Sequence, residues 1–162
     1  MNVLIIYATH SGSNYFIAQI IKRVLESHGL KVDICEAHKV DADLLRRFKC
    51  IIMGSCTWDN KKKEGQLPEL FENLVDKINN QSFPQTLFGI YGAGDASYLT
   101  FCGAVDHLEN LVKKIKGKKI IDSLRIDRFY EDQNKKTLLV EKWAAQIADI
   151  LMLSRANTRG FF

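Results

Sequence analysis

Apolar and polar positions alternate along this chain in blocks of two kinds. Residues 3–8, 31–35, 50–55, 86–91 and 119–126 are short apolar runs, rich in Ile, Val and Leu, as in strands buried on both faces. Between them apolar residues recur at helical spacing. Ile17, Ile20, Ile21, Val24 and Leu25 mark a helix over residues 14–28. Further helices are predicted over residues 41–48, 68–78 and 101–115. Leu139, Val140, Trp143, Ile147, Ile150 and Leu151 give the inner face of a last helix over 135–153. Gly29 and Gly117 stop two of these helices, Pro68 suits a first helical turn, and Asp41 offers a cap. The fifth strand is expected to bend or break around Asp122 and Ser123. Strands and helices in strict alternation predict an α/β fold, a five-stranded parallel sheet covered by helices on both faces. One domain is expected over residues 1–153, followed by a basic, flexible tail over 154–162.

In such a sheet a ligand sits at the carboxyl ends of the strands, where the strand order reverses. Three loops of unusual composition leave those ends, over residues 9–14, 56–66 and 92–103. The first contains Thr9, Ser11, Gly12, Ser13 and Asn14, all neutral donors ahead of a helix. Unpaired N–H groups and a partial positive charge at a helix start suit a phosphate. No Lys follows the Gly, so a nucleoside-triphosphate loop is excluded. The alternative is an ordinary helix capped by Ser11 or Ser13. In the second loop Trp58 follows a buried strand and sits among polar turn residues, a place more often used for ligand contact than for packing. In the third, Gly92 and Gly94 permit close approach of a flat ligand, Asp95 offers an acceptor, and Tyr98 is a second loop aromatic. Together they suggest a planar heterocycle held between two rings, on a chain that ends in phosphate.

Bulk properties narrow the function. The chain has 162 residues, 46% of them hydrophobic and 26% charged, with a net charge of +4, as in an ordinary globular protein. That mild excess demands neither nucleic acid nor a membrane surface, and no stretch is long enough to span a bilayer. Cys35, Cys50, Cys56 and Cys102 are scattered, without paired spacing, which argues against a disulfide framework or a zinc site. Reduced thiols and the lack of a secretion signal at Met1 place the expected location in the cytoplasm. A phosphoacceptor domain would need acids at the ends of the first and third strands, where Thr9 and Ser55 stand. A dinucleotide site would need a third Gly beyond Gly92 and Gly94.

Three segments carry a specific likeness. Thr9, Ser11, Gly12, Ser13 and Asn14; Thr57, Trp58 and Asp59; and the run Gly92, Ala93, Gly94, Asp95, Ser97, Tyr98, Phe101, Cys102, Gly103, Ala104, Val105, Asp106 resemble the short-chain flavodoxins. Ser123, Leu124, Arg125, Ile126 and Asp127 extend the likeness beyond the fifth strand. The resemblance implies a doubly wound sheet of order 2-1-3-4-5 and non-covalently bound FMN. It further implies a monomeric carrier that moves single electrons between an NAD(P)H-dependent reductase and acceptor redox enzymes, with transient electrostatic docking and no catalytic residue. The alternative is an FMN-dependent reductase of small molecules such as quinones.

By position, Thr9, Ser11, Gly12, Ser13 and Asn14 would hold the phosphate, with His10 beside them facing solvent. Ser55, Cys56 and Thr57 would line the ribityl chain. Trp58 would cover the inner ring face and Tyr98 the outer. Gly92, Gly94 and Asp95 would meet the pyrimidine end. Asn60, Ala93, Phe101 and Cys102 complete the expected set, Cys102 as a packed and inert thiol. Stacking in a site without a nearby cation would disfavour negative charge on the reduced ring and lower its potential. Two positions depart from the family pattern. Asp59 stands where Gly is common, and a positive φ there would cost about 1 kcal/mol and leave the one-electron-reduced flavin less stabilised. Lys61, Lys62 and Lys63 replace acids and could raise the potential or dock an acidic partner.

Overall fold

The computed structural model describes residues 2–60 and 63–159. Strand β1 (Asn2–Ala8) leads into helix α1 (Ser13–Ser27), and β2 (Lys31–Glu36) follows. After a 3-10 turn at Ala37–Lys39 comes a single turn of helix, α2 (Ala42–Leu45), which Asp41 caps by accepting the Leu44 N–H at 2.8 Å. Strand β3 (Cys50–Ser55) precedes an antiparallel ribbon, β4 (Trp58–Asn60) with β5 (Lys63–Gln66). Then follow α3 (Glu69–Ile78), β6 (Leu87–Gly94), α4 (Gly103–Lys114), β7 (Lys118–Lys119), β8 (Leu124–Asp127) and α5 (Gln133–Arg159).

The main sheet has the order β2-β1-β3-β6-β7, with β8 pairing farther along the same edge of β6, and every pair in it is parallel. This is the expected order, with the fifth strand broken into β7 and β8 around Asp122 and Ser123. Successive residues of β1 point to opposite faces and feed two cores. Leu4 and Ile6 join Met53, Phe71, Phe88 and Leu108 beneath α3 and α4. Val3 and Ile5 join Ile17, Ile52, Trp143 and Ile147 beneath α1 and α5. Each such buried aliphatic side chain contributes about 1.5–3 kcal/mol over exposure.

Four features differ from the sequence expectation. Trp58–Asn60 and Lys63–Gln66 pair as a ribbon, where the sequence predicts a loop. Strand β6 runs on through Gly92 and Ala93 to Gly94, so those residues are sheet and not loop. Helix α5 continues through Ser154 to Arg159, where the sequence pattern places a tail. Neither Ser11 nor Ser13 caps α1: the capping position is Gly12, left-handed at φ 87°, with no side-chain hydrogen bond. Lys61 and Lys62 lie outside the described residues.

One contact fixes where α1 begins. Gly54 of β3 pairs in register with Tyr91 of β6, and a Cβ at residue 54 would lie 1.9 Å from the Tyr91 ring. The missing side chain lets the buried Tyr91 ring lie over β3 and donate its hydroxyl to the Asn14 carbonyl at 2.8 Å.

Candidate functional site

Strands β1 and β3 end side by side at Ala8 and Ser55, and β6 ends nearby at Gly94. The chain leaves the sheet there into the three segments that the sequence singled out. In the first, the Gly12 N–H donates to Thr9 Oγ1 at 3.0 Å and the Gly12 carbonyl accepts from Phe16. The Ser11 and Ser13 hydroxyls lie 3.4 Å from each other. The first-turn amides of α1 thus have no side-chain cap, and no acid stands in that turn. Asn14 is fully buried and turns inward: its Oδ1 accepts the Ala93 N–H at 3.2 Å. Its Nδ2 has no partner among the described residues. A buried amide donor left unpaired costs about 1–3 kcal/mol. An uncapped helix start beside an unmet donor is a seat for an acceptor-rich anion.

Two clefts open here. One, of about 330 Å³, is lined by Thr57, Trp58, Asp59, Glu64, Gly94, Asp95, Tyr98, Thr100, Phe101 and Cys102. The other, of about 370 Å³, is lined by His10, Ser11, Ser13, Cys56, Thr57, Trp58, Ala93, Gly94, Arg128, Phe129, Tyr130 and Glu131. Thr57, Trp58 and Gly94 line both, so the two run together at Trp58. The aromatic pair Trp58 and Tyr98 does border one cleft, 42% and 65% exposed respectively. His10 is exposed yet not free: its ring centroid lies 4.2 Å from that of Trp58.

Of the other predicted residues, Ser55 and Gly92 line neither cleft. Ser55 is buried and donates to the Cys56 carbonyl at 2.9 Å. Gly92 is needed for packing, since a Cβ there would lie 2.7 Å from Val105 and 3.0 Å from the Ser55 carbonyl. Asn60 contributes backbone to β4. Asp59 also lies in β4, and the non-glycine residues with positive φ among those described are Cys102, Lys116, Arg128 and Asp132. The left-handed cost expected at Asp59 is thus not incurred in this conformation. Cys102 starts α4, where a helix N-terminus favours thiolate, but burial dominates and pushes its pKa up to about 11. Burial also raises the Cys56 thiol, against backbone hydrogen bonds that lower it.

The segment after β8 was missed. Arg128, Phe129, Tyr130 and Glu131 line the second cleft, and the Tyr130 hydroxyl donates to the Ser11 carbonyl at 3.1 Å. The signal was available, because a Phe–Tyr pair follows a strand at the carboxyl end of the sheet. Arg128 also corrects the expectation of a site with no nearby cation. Its guanidinium holds Asp127 below the usual carboxylate range, after the Ala96 N–H, the larger cause. Asp95 is held low first by hydrogen bonds from Ser97.

The flavodoxin family model matches residues 5–154. The chain belongs to the flavodoxin family. It is 33% identical to probable flavodoxin 2 of Bacillus subtilis over 138 residues, 85% of this chain and 89% of that one. It is 29% identical to a flavodoxin of Nitratidesulfovibrio vulgaris over 154 residues, 93% of this chain and 99% of that one. The crystal structure of oxidised flavodoxin 2 from Bacillus cereus superposes with a TM-score of 0.84 at 29% identity, covering 92% of this chain and 99% of that one.

Within this flavodoxin the ribbon is clasped to the start of α4 at three points. Thr57 Oγ1 accepts the Ala104 N–H at 3.2 Å, Thr100 donates to Glu64 at 3.0 Å, and a Cβ on Gly103 would lie 2.5 Å from the Gly65 carbonyl. Trp58 and the 94–102 segment are thereby held as facing walls of one cleft. Among the described residues, no cluster of His, Cys, Asp or Glu could hold a metal, and no helix is long and apolar enough to cross a membrane.

Proposed function

We propose that this flavodoxin binds FMN along the joined clefts and carries single electrons from an NAD(P)H-dependent reductase to acceptor redox enzymes. The observation that carries the reading is the continuity of a neutral, uncapped anion seat with an aromatic-walled slot through Thr57, Trp58 and Gly94. Thr9 shapes the seat by holding the Gly12 amide, and the Ser11 and Ser13 hydroxyls and first-turn amides receive the phosphate. Cys56 and Thr57 flank the ribityl arm. Trp58 and Tyr98 cover the ring faces and exclude water, and Gly94 and Asp95 meet its pyrimidine edge. Bound FMN supplies the one-electron chemistry; the chain supplies position and electrostatics.

Among the described residues, Asp59, Glu64, Asp95 and Glu131 line the clefts against one guanidinium, Arg128. Their net negative charge disfavours added negative charge on the ring and keeps the potential low. No side chain need exchange a proton with a substrate, which supports reading the protein as a carrier and not an enzyme.

Reconstitution with FMN followed by a visible spectrum and a redox titration tests the reading. The expected result is a yellow protein with a low-potential couple and no steady NAD(P)H-to-quinone turnover on its own. A preparation that stays colourless with added FMN overturns it. Sustained quinone turnover would favour the reductase alternative, which Tyr98 beside the ring opposes.

A further inference from the structure

Among the described Lys and Arg residues, Arg128 alone lines either cleft. It is pinned there. Its backbone is left-handed at φ 39°, and its N–H donates to the Gly94 carbonyl at 2.7 Å. Its guanidinium lies 3.3 Å from Asp127, 3.3 Å from Glu131 and 4.0 Å from Asp95. Ser11 and Ser13 of the phosphate seat line the same cleft, and Tyr130, two residues on, bonds the Ser11 carbonyl. Of these carboxylates Glu131 lines that cleft together with Arg128, beside the place read as the seat of a phosphate that carries nearly two negative charges. Without the guanidinium, that phosphate would meet the Glu131 carboxylate uncompensated, with Asp127 next in the chain to Arg128.

We infer that Arg128 is a screening residue for the phosphate end of the cofactor, making a wall that carries Glu131 compatible with a doubly charged phosphate. The inference rests on the FMN reading above. It separates Arg128 from a merely structural residue, because a structural loss would weaken phosphorylated and unphosphorylated flavin alike and ignore salt.

The test compares FMN with riboflavin, its phosphate-free form, on the full-length protein, with dissociation followed by flavin fluorescence. Arg128→Gln removes the charge. Arg128→Gly removes it as well, while suiting the left-handed backbone, so the fold is retained. Both variants are expected to weaken FMN binding roughly tenfold at about 20 mM salt, the loss shrinking below about threefold at about 0.5 M as screening replaces the guanidinium. Riboflavin affinity is expected to stay within about twofold, and Arg128→Lys to restore FMN binding. Equal losses for the two flavins, or a loss independent of salt, overturn the inference. Wild-type protein that holds FMN no better than Arg128→Gln overturns the inference alone. Wild-type protein that holds neither flavin overturns the functional reading and the inference with it.

Discussion

At the scale of single residues, Gly54, Tyr91 and Asn14 form a stack in which each depends on the one below. Gly54→Ala would drive a methyl into the Tyr91 ring, displace its hydroxyl from the Asn14 carbonyl and unsettle the start of α1. Overpacking of this kind costs about 1–3 kcal/mol, so a lowered urea midpoint with weakened FMN binding is expected. Trp58→Ala or Tyr98→Ala should each weaken FMN binding about tenfold or more while leaving the urea midpoint nearly unchanged, because both side chains are substantially exposed. The buried thiols give a pH signature. Burial raises Cys102 to about 11 and Cys50 to about 12, from 9.0 in each case. Both must stay neutral in the fold, so the stability they lend is fully present below about pH 9 and is lost as pH rises through 11. Urea midpoints measured at about pH 8 and about pH 10.5 should show that fall, with the two thiols alkylating only on unfolding. Trp58 and Tyr98 were legible in the sequence because large aromatics stood where the core could not reach. The inward turn of Asn14 was not legible, since it depends on an amide of β6 far along the chain.

At the scale of elements, the strands were the most legible, β3 to the residue, because a strand buried on both faces leaves an unbroken apolar run. The break between β7 and β8 was legible from Asp122 and Ser123. The ribbon β4–β5 was not: apart from Trp58 its described residues are polar or Gly, it lacks alternation, and it owes its shape to tertiary fastening and not to its own pattern. Its hold on α4 through Gly65 and Gly103 gives a direct check. Gly103→Ala places a methyl 2.5 Å from the Gly65 carbonyl, and backbone cannot yield as a side-chain tip does. The expected outcome is a ribbon shifted off α4, with faster amide exchange over residues 63–66 and weakened FMN binding, and with the sheet amides unaffected.

At the scale of the whole molecule, the doubly wound plan was legible from the alternation alone, and the place of the site followed from it. What the plan could not show is the balance of charge that the folded loops assemble. The basic run at Lys61–Lys63 suggests an acidic partner, yet Asp59, Glu64, Asp95 and Glu131 converge on the described clefts. A redox partner with a basic face is expected, so electron transfer from the reductase should slow as salt is raised, and Asp59→Asn with Glu64→Gln should slow it further at low salt. The open start of α1 reaches farther still. A helix start is ordinarily closed by a flanking side chain; on the proposed function an incoming anion would supply that closure to α1 instead. The molecule is then expected to be sturdier in company than alone. Its melting temperature should climb with FMN concentration, climb part of the way with inorganic phosphate, and climb less with riboflavin, which has no anion to offer.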